Sequence, residues 1–387
     1  MAVTINGTTG DSNTTLPGIN WQSSIVTAAT LTAVGNRGYW INTTSNTCTI
    51  TLPASATVGD RLVFTDYART WTTNKVIIDS NGLNYQGGPD TMTVEYNTNG
   101  QSIDIVYSGA TKGWIPNTDE VTQRYTPDYA IDFLVIGGGA GGGTHGGGGA
   151  GGYRTSTQTV TTGGTVITAT VGDGGGGTTS GSTSTMSSLE LTTIASAGGG
   201  KGVDFSNGTA GGSGGGGGHS AGTGGAGNTP STSPVQGYAG GNGLAGTNPL
   251  IGGGGGGASA VGVNASSSAG GNGGAGATSS ITGASVVYAG GGGGGAQLTG
   301  VTAGGTGGTG GGGNGGLSGS GSTAGTVNLG SGGGAGASGT NQPGGKGVII
   351  MSMPTVSYSG IVTGSPTVST SGSNTILKFT GTGTYSG

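Results

Sequence analysis

Residues 205–345 contain no aspartate, glutamate, lysine or arginine, and they are built around runs of consecutive glycine. Glycine loses more backbone entropy on ordering than any other residue, and it has no side chain to bury. Such a stretch is therefore expected to be disordered unless its backbone groups bond directly to one another. This feature excludes an ordinary side-chain core for the stretch and leaves few ordered alternatives.

The glycine runs recur throughout the second half of the chain. They cover residues 146–149, 174–177, 214–218, 252–257, 290–295, 310–313 and 332–334. The runs that start at 214, 252 and 290 are spaced by 38 residues, which indicates a quasi-repeat of a glycine rod followed by a variable segment. Leucine, isoleucine, valine and tyrosine recur between the runs, whereas flexible linkers usually lack such residues.

A bundle of polyproline-II-type helices made mostly of glycine is the ordered arrangement that fits this pattern. Collagen is excluded, because there is no strict Gly-X-Y period and the chain has only 11 prolines. A polyproline-II helix has no internal hydrogen bonds, so each N–H and C=O needs a partner on a neighbouring rod. Rods without Cβ atoms can approach closely enough to provide one. A charge inside the bundle would be unpaired and costly, which agrees with the charge-free stretch.

The first half of the chain has a different composition. Residues 1–130 hold 12 of the 101 glycines and 16 of the 24 charged residues. Short β-branched and aromatic segments alternate there with turn signals. These segments are 38–42, 48–52, 61–65, 75–79, 92–96, 102–107 and 113–115. The pattern predicts an all-β domain, an antiparallel sandwich or roll, with little or no α-helix in the whole chain.

We expect five segments along the chain. They are an extended N-terminal attachment segment at 1–35, a small β-domain at 36–118, a linker at 119–129, the glycine-rich helix domain at 130–353 and a C-terminal β-tail at 354–387. The first 35 residues are rich in threonine, asparagine and glycine, so we expect them to be ordered only by contact with another molecule. Strands are predicted at 130–136 and 347–353, where the glycine-rich domain opens and closes, and at 375–380 in the tail.

Charge and cysteine content limit the classes of partner. The net charge is −4 and the ten basic residues are thinly spread, so nucleic acid is not an expected partner. Cys48 is the only cysteine, which excludes an intrachain disulfide. The first residues lack the basic start and apolar core of a signal peptide, and no apolar run approaches the roughly 20 residues of a membrane span. We therefore expect neither Sec export nor membrane insertion.

Residues 137–142 satisfy the G-x-G-x-x-G pattern of dinucleotide-binding folds and follow a predicted strand. That motif requires a helix to follow, but residues 143–149 are mostly glycine, which costs a helix about 1 kcal/mol per residue. No cofactor is therefore predicted. His145 and His219 have no carboxylate or cysteine nearby in sequence, so we expect both to face solvent, without a metal. No paired carboxylates or long β-solenoid are evident, so no catalytic residues and no enzyme activity are predicted.

Several segments resemble the glycine-rich domain of bacteriophage tail-fibre and adhesin proteins. The resemblance covers roughly residues 126–353, and its motifs are residues 132–142, 146–154, 166–175 and 344–350. Residues 52–60 together with 106–114 also look like a β-domain common near the N-termini of phage tail proteins. Adhesins of this kind, such as those at the fibre tips of T-even-like phages, pack polyglycine helices into a bundle.

The resemblance implies a receptor-binding protein of a virion tail fibre. Variable loops between the rods would contact a host cell-surface receptor, an outer-membrane protein or a polysaccharide. The N-terminal region would dock to other tail or fibre proteins, and fibres of this kind are usually homotrimers. Two departures bear on the attachment mode: the T-even-type adhesin is a separate tip subunit without this β-domain, and here a tail follows the bundle.

The variable segments beside the glycine runs supply the candidate receptor contacts. These are Tyr238, Leu250, Ile251, Tyr288, Gln297 and Leu298. Packing between rods is the alternative for each of them. The alternative function is a non-catalytic structural glycine-rich protein of a virion or cell surface, and a polysaccharide depolymerase is third.

Overall fold

The computed structural model describes residues 18–117, 123–125, 128–161, 165–246, 248–298 and 300–387. Within these ranges the chain is β-structure and extended glycine segments, and its one helical element is a 3₁₀ turn at Thr355–Ser357. None of the described helical residues forms a segment long and apolar enough to cross a membrane. The chain divides into two compact units, Met1–Pro127 and Asp128–Gly387. The all-β fold class predicted from the sequence is confirmed.

The described residues of the first unit form ten strands. They are β1 Asn20–Val26, β2 Thr30–Thr32, β3 Arg37–Ile41, β4 Cys48–Thr51, β5 Arg61–Asp66, β6 Val76–Asp79, β7 Thr93–Tyr96, β8 Ser102–Tyr107, β9 Trp114–Pro116 and β10 Gln123–Tyr125. They form two five-stranded sheets in the orders β1-β3-β5-β8-β9 and β10-β7-β6-β4-β2. Apolar residues of both sheets, among them Ile50, Phe64 and Trp114, fill the core of this unit together with Trp71 from the segment between β5 and β6.

The pairing of the first six strands differs from the antiparallel pairing expected. The chain alternates between the two sheets from β1 to β6, so each strand runs parallel to the next strand of its own sheet. The pairs β1–β3, β3–β5, β2–β4 and β4–β6 are parallel, while those of β7, β8 and β9 with their neighbours are antiparallel. Local turn signals show where the chain bends, but they do not show which sheet the next strand joins.

Residues 20–32 are ordered within the first unit, because β1 pairs with β3 and β2 pairs with β4. The expectation that they are ordered only by another molecule is wrong for this part of the N-terminal segment. Residues 1–17 lie outside the described residues, as do 118–122 and 126–127 of the predicted linker region.

Cys48 lies in β4 and is 1% exposed, and burial raises the pKa of its thiol to about 11. The native thiol is therefore inaccessible, and it is protonated at neutral pH, whereas the reactive form is the thiolate. We expect no reaction with an aromatic disulfide reagent at pH 8 in the native protein, and one thiol per chain to react after denaturation. Rapid labelling of the native protein would contradict this arrangement of the first unit.

The second unit contains fourteen strands among its described residues. They are β11 Tyr129–Ile136, β12 Tyr153–Val160, β13 Val166–Thr170, β14 Ser184–Ser187, β15 Ile194–Ser196, β16 Leu250–Ile251, β17 Ala277–Ser279, β18 Val286–Tyr288, β19 Ala296–Gln297, β20 Val348–Pro354, β21 Ile361–Val362, β22 Thr367–Ser371, β23 Asn374–Phe379 and β24 Gly383–Ser386. The strands predicted at 130–136, 347–353 and 375–380 are each present within one residue.

Two five-stranded sheets form the base of this unit, in the orders β12-β11-β20-β23-β22 and β15-β14-β13-β24-β21. Phe133, Met186, Ile349 and Leu377 belong to the core cluster of these strands. Alternate residues of β11 and β20 point to the other face of the first sheet and join a second cluster with residues of the glycine-rich region. Residues 354–387 are therefore built into the base, because β23 pairs with β20 and β24 pairs with β13.

The glycine-rich segments form a hydrogen-bonded bundle, as the central rod at residues 146–152 shows. Its N–H groups donate to three different segments in turn, returning to the same segment at every third residue. The donor–acceptor pairs are Gly146–Val203, Gly149–Gly200 and Gly152–Ala197; Gly147–Gly253 and Ala150–Gly256; and Gly148–Gly333 and Gly151–Gly330. Three residues per turn with no internal hydrogen bonds is the geometry of a polyproline-II-type helix.

The carbonyl groups of the central rod accept hydrogen bonds from three further segments. The donors are Gly143, Ala140 and Gly137; Gly216 and Ser213; and Gly292. The central rod is thus hydrogen-bonded to six neighbouring segments. Backbone hydrogen bonds take the place that side-chain packing has in other protein cores. The predicted bundle of glycine helices is confirmed, and its backbone-only packing leaves no room for a charged side chain inside the rods.

Candidate functional site

The bundle has two different ends. At one end β11 leads into residues 137–143, and the central rod leads into β12, so this end is joined to the sheets. Between these two rods the chain reverses at Thr144 and His145, after bonds from Gly137 to Gly152 and from Gly143 to Gly146. The reversal lies at the end away from the sheets, which we call the distal end.

Later rods end at the same place. The N–H of Gly295 donates to the carbonyl oxygen of His145, and the N–H of Ala337 donates to that of Thr144, both at 2.6 Å. Gly146 donates to Val203, so the turn after residue 203 is also distal. The distal end therefore gathers turns that are far apart in sequence. Described residues of these turns include 144–145, 204–206, 219–221, 297–298 and 337–340.

Four of the predicted contact residues lie together at the distal end. Leu250 pairs with Gln297 and Ile251 with Ala296, in the two-stranded sheet of β16 and β19. Leu298 is 41% exposed, and Leu250 and Gln297 are half-buried. The hydroxyl of Ser338 donates to Oε1 of Gln297 at 2.6 Å, which joins a further distal turn to this group.

The other two predicted contact residues lie at the sheet end. Tyr238 donates its N–H to Gly257 and is 40% exposed. Tyr288 is buried in the cluster that joins β11 and β20 to the bundle, and Ile251 at the distal end is fully buried. Packing therefore accounts for Ile251 and Tyr288, and neither offers surface to a receptor. The six residues do not form one surface.

Three side chains that are far apart in the sequence lie together at the distal end. Nδ1 of His145 lies 2.6 Å from Oδ1 of Asp204 and 3.1 Å from Nδ1 of His219, and Nδ1 of His219 lies 3.6 Å from the same Asp204 oxygen. Each residue follows the end of a glycine segment, at 143, 202 and 218. The bundle brings these ends into register, so the three turns converge.

Both histidines are buried, at 2% exposure each, so the prediction that they face solvent is wrong. The physical reason is that their turns pack side by side, and the ring of Phe205 covers that of His219 with centroids 4.5 Å apart. Burial lowers the pKa of His219, and the neighbouring His145 lowers it further, against the opposing effect of Asp204. The neutral imidazole of His219 is therefore favoured near neutral pH.

Asp204 forms the solvent side of the cluster, since its side chain is 34% exposed. It borders an open cavity of about 300 Å³, whose other lining residues include Thr144, Lys201, Phe205 and Ser206. Phe205 is 70% exposed, which makes it the most exposed aromatic side chain of the described distal turns. The only sequence signal for this group is that each member lies within two residues of the end of a glycine segment.

The family model of the glycine-rich domain matches residues 117–354, which include all the rods and the three clustered side chains. Among curated proteins no relative matches the chain.

Proposed function

We propose that this chain, which belongs to the glycine-rich domain family, is an adhesin of a bacteriophage tail fibre. In this proposal its distal turns bind a receptor on the host cell surface. The observation that supports this best is that the two ends of the second unit are built differently. One end is closed by two sheets, while the other gathers turns from sequence-distant rods and carries their non-glycine side chains.

The composition of the distal turns suits recognition. Phe205 and Leu298 present exposed apolar surface, and Leu250 adds half-buried surface beside Gln297. Serine, asparagine and glycine surround them, a mixture that gives adaptable hydrogen bonding around a few apolar anchors. The bundle beneath holds each turn at both ends by backbone hydrogen bonds, so little entropy is lost when the turns bind.

The rest of the proposal concerns assembly. The first unit docks the protein to other tail or fibre proteins, and the protein acts as a homotrimer in the virion tail fibre. Several weak receptor sites then combine by avidity. The receptor is an outer-membrane protein or a surface polysaccharide, and binding requires no catalysis.

The test is the binding of fluorescently labelled full-length protein to a panel of bacterial strains, measured by flow cytometry. On a strain that the wild type binds, Leu298→Asn should weaken binding at least about tenfold, because an exposed apolar anchor is lost. Asparagine tolerates the positive φ of 84° at this position, so the turn is kept. Leu189→Asn is the matched control, since Leu189 is fully exposed outside the distal turns, between β14 and β15.

Tyr238→Ala tests which end of the bundle faces the host. We expect it to leave binding unchanged, because Tyr238 lies at the sheet end. A loss with Tyr238→Ala and none with Leu298→Asn would overturn the distal assignment. Failure of the wild type to bind any strain would favour the alternative, a non-catalytic structural protein, and release of reducing sugar ends from the bound envelope would favour a depolymerase.

A further inference from the structure

We infer that His145, Asp204 and His219 form a binding site for one divalent transition-metal ion, with zinc as the best match. The inference stands on the geometry of the cluster and does not depend on the proposed function. One ligand atom from each residue, Nδ1 of each histidine and a carboxylate oxygen, lies within 4.8 Å of the other two.

The separations are those of a metal's ligand atoms. In a tetrahedral zinc site with bonds of about 2.0–2.1 Å, neighbouring ligand atoms lie about 3.3 Å apart. The three distances here are 2.6, 3.1 and 3.6 Å, which bracket that value. Small shifts of the partly exposed Asp204 side chain would equalise them, because its carboxylate is the member of the cluster on the solvent side.

The donor set indicates the class of ion. Two imidazole nitrogens and one carboxylate suit zinc and the neighbouring first-row divalent ions. Magnesium and calcium prefer oxygen ligands, so neither is expected to bind tightly here. Three protein ligands leave a fourth position for water, and the partly exposed Asp204 gives the site a side that is open to solvent.

Hydrogen bonds alone do not serve the three ligand atoms equally. Two Nδ1 atoms at 3.1 Å can share only one proton, and of these two nitrogens only that of His145 lies within hydrogen-bond distance of the Asp204 carboxylate oxygen. A cation accepts a lone pair from each ring and from the carboxylate at once. It would also cross-link three distal turns that are far apart along the chain.

The chain makes the test unusually clean, because it contains only two histidines and one cysteine, and Cys48 is buried in the first unit. Full-length protein is purified without a histidine tag, stripped with a chelator and titrated with Zn²⁺ by calorimetry. Titration with Co²⁺ is followed by its visible absorption, which reports the geometry and the nitrogen ligands. We expect one ion per chain, and Zn²⁺ should displace Co²⁺.

His219→Gln and Asp204→Asn should each weaken Zn²⁺ binding by more than about tenfold, since loss of even a supporting residue costs 10–100-fold. Asp173→Asn is the control, because Asp173 is an exposed acid paired with Lys346. Asp204→Asn changes a partly exposed side chain and keeps its size, so it remains informative if His219→Gln does not fold. No Zn²⁺ or Co²⁺ binding by the wild type would overturn the inference, and so would equal binding by Asp204→Asn.

Discussion

Replacing Gly148 with alanine should prevent the second unit from folding, because it should lower the free energy of unfolding by about 4 kcal/mol or more. A Cβ at this position would lie 2.2 Å from the carbonyl oxygen of Ala140 and 2.9 Å from its carbon. Both are backbone atoms of a neighbouring rod, and neither can rotate away. Gly148 also donates to Gly333 and accepts from Gly292, so moving its rod breaks bonds with two other segments.

Hydrogen exchange followed by mass spectrometry measures this effect directly. In the wild type the rod N–H groups should exchange slowly, and in Gly148→Ala their protection should be lost. All four tryptophans lie in the first unit, between residues 21 and 114, so tryptophan fluorescence reports whether that unit remains folded. Gly176→Ala is the matched control, because the nearest atom to its added Cβ is a threonine oxygen 3.7 Å away. Retained protection in Gly148→Ala would show that the rods are not packed through their backbones.

Replacing Leu377 with alanine should destabilise the second unit by about 2–5 kcal/mol, through lost burial and the cavity left behind. Leu377 lies in β23 and is fully buried in the cluster shared by the two sheets of the base. It pairs with Met351 on one side and Val368 on the other, although it belongs to a tail whose role is obscure in the sequence.

The matched control for Leu377→Ala is Leu189→Ala, which removes the same atoms from a fully exposed side chain of the same unit. A change within about 0.5 kcal/mol is expected there. Calorimetric unfolding of both variants gives the comparison. Equal stability of the two would mean that residues 354–387 do not contribute to the core of the base.

The sequence predicts the strands well because their signal is local. The strand ends at Arg61, Ser102 and Val348 lie within one residue of those expected, since β-branched and aromatic residues stop where turn residues begin. Pairing partners are not local. Nothing in the residues around β4 shows that it runs parallel to β6, and nothing in the tail shows that β23 lies beside β20.

The same contrast between local and non-local information applies to the glycine bundle and to the cluster of His145, Asp204 and His219. A run of glycines predicts a rod, but identical glycines cannot show which six segments surround it. His145 is 59 residues from Asp204 and 74 from His219, so a search for ligands close in sequence finds none of them together. Burial of Ile251 and Tyr288 likewise depends on which rods meet. Exposure of Leu298 could be expected, because it follows the last residue of a glycine run by only three positions.

The threefold repeat of the rods limits how sequences of this kind can change in length. Inserting or deleting one residue within residues 146–152 would turn every later N–H by about 120°, away from the segment to which it is bonded and toward a different one. A change of three residues restores the direction of each N–H and alters only the length of the rod. Length variation within rods should therefore come in multiples of three, while the distal turns can gain or lose any number of residues.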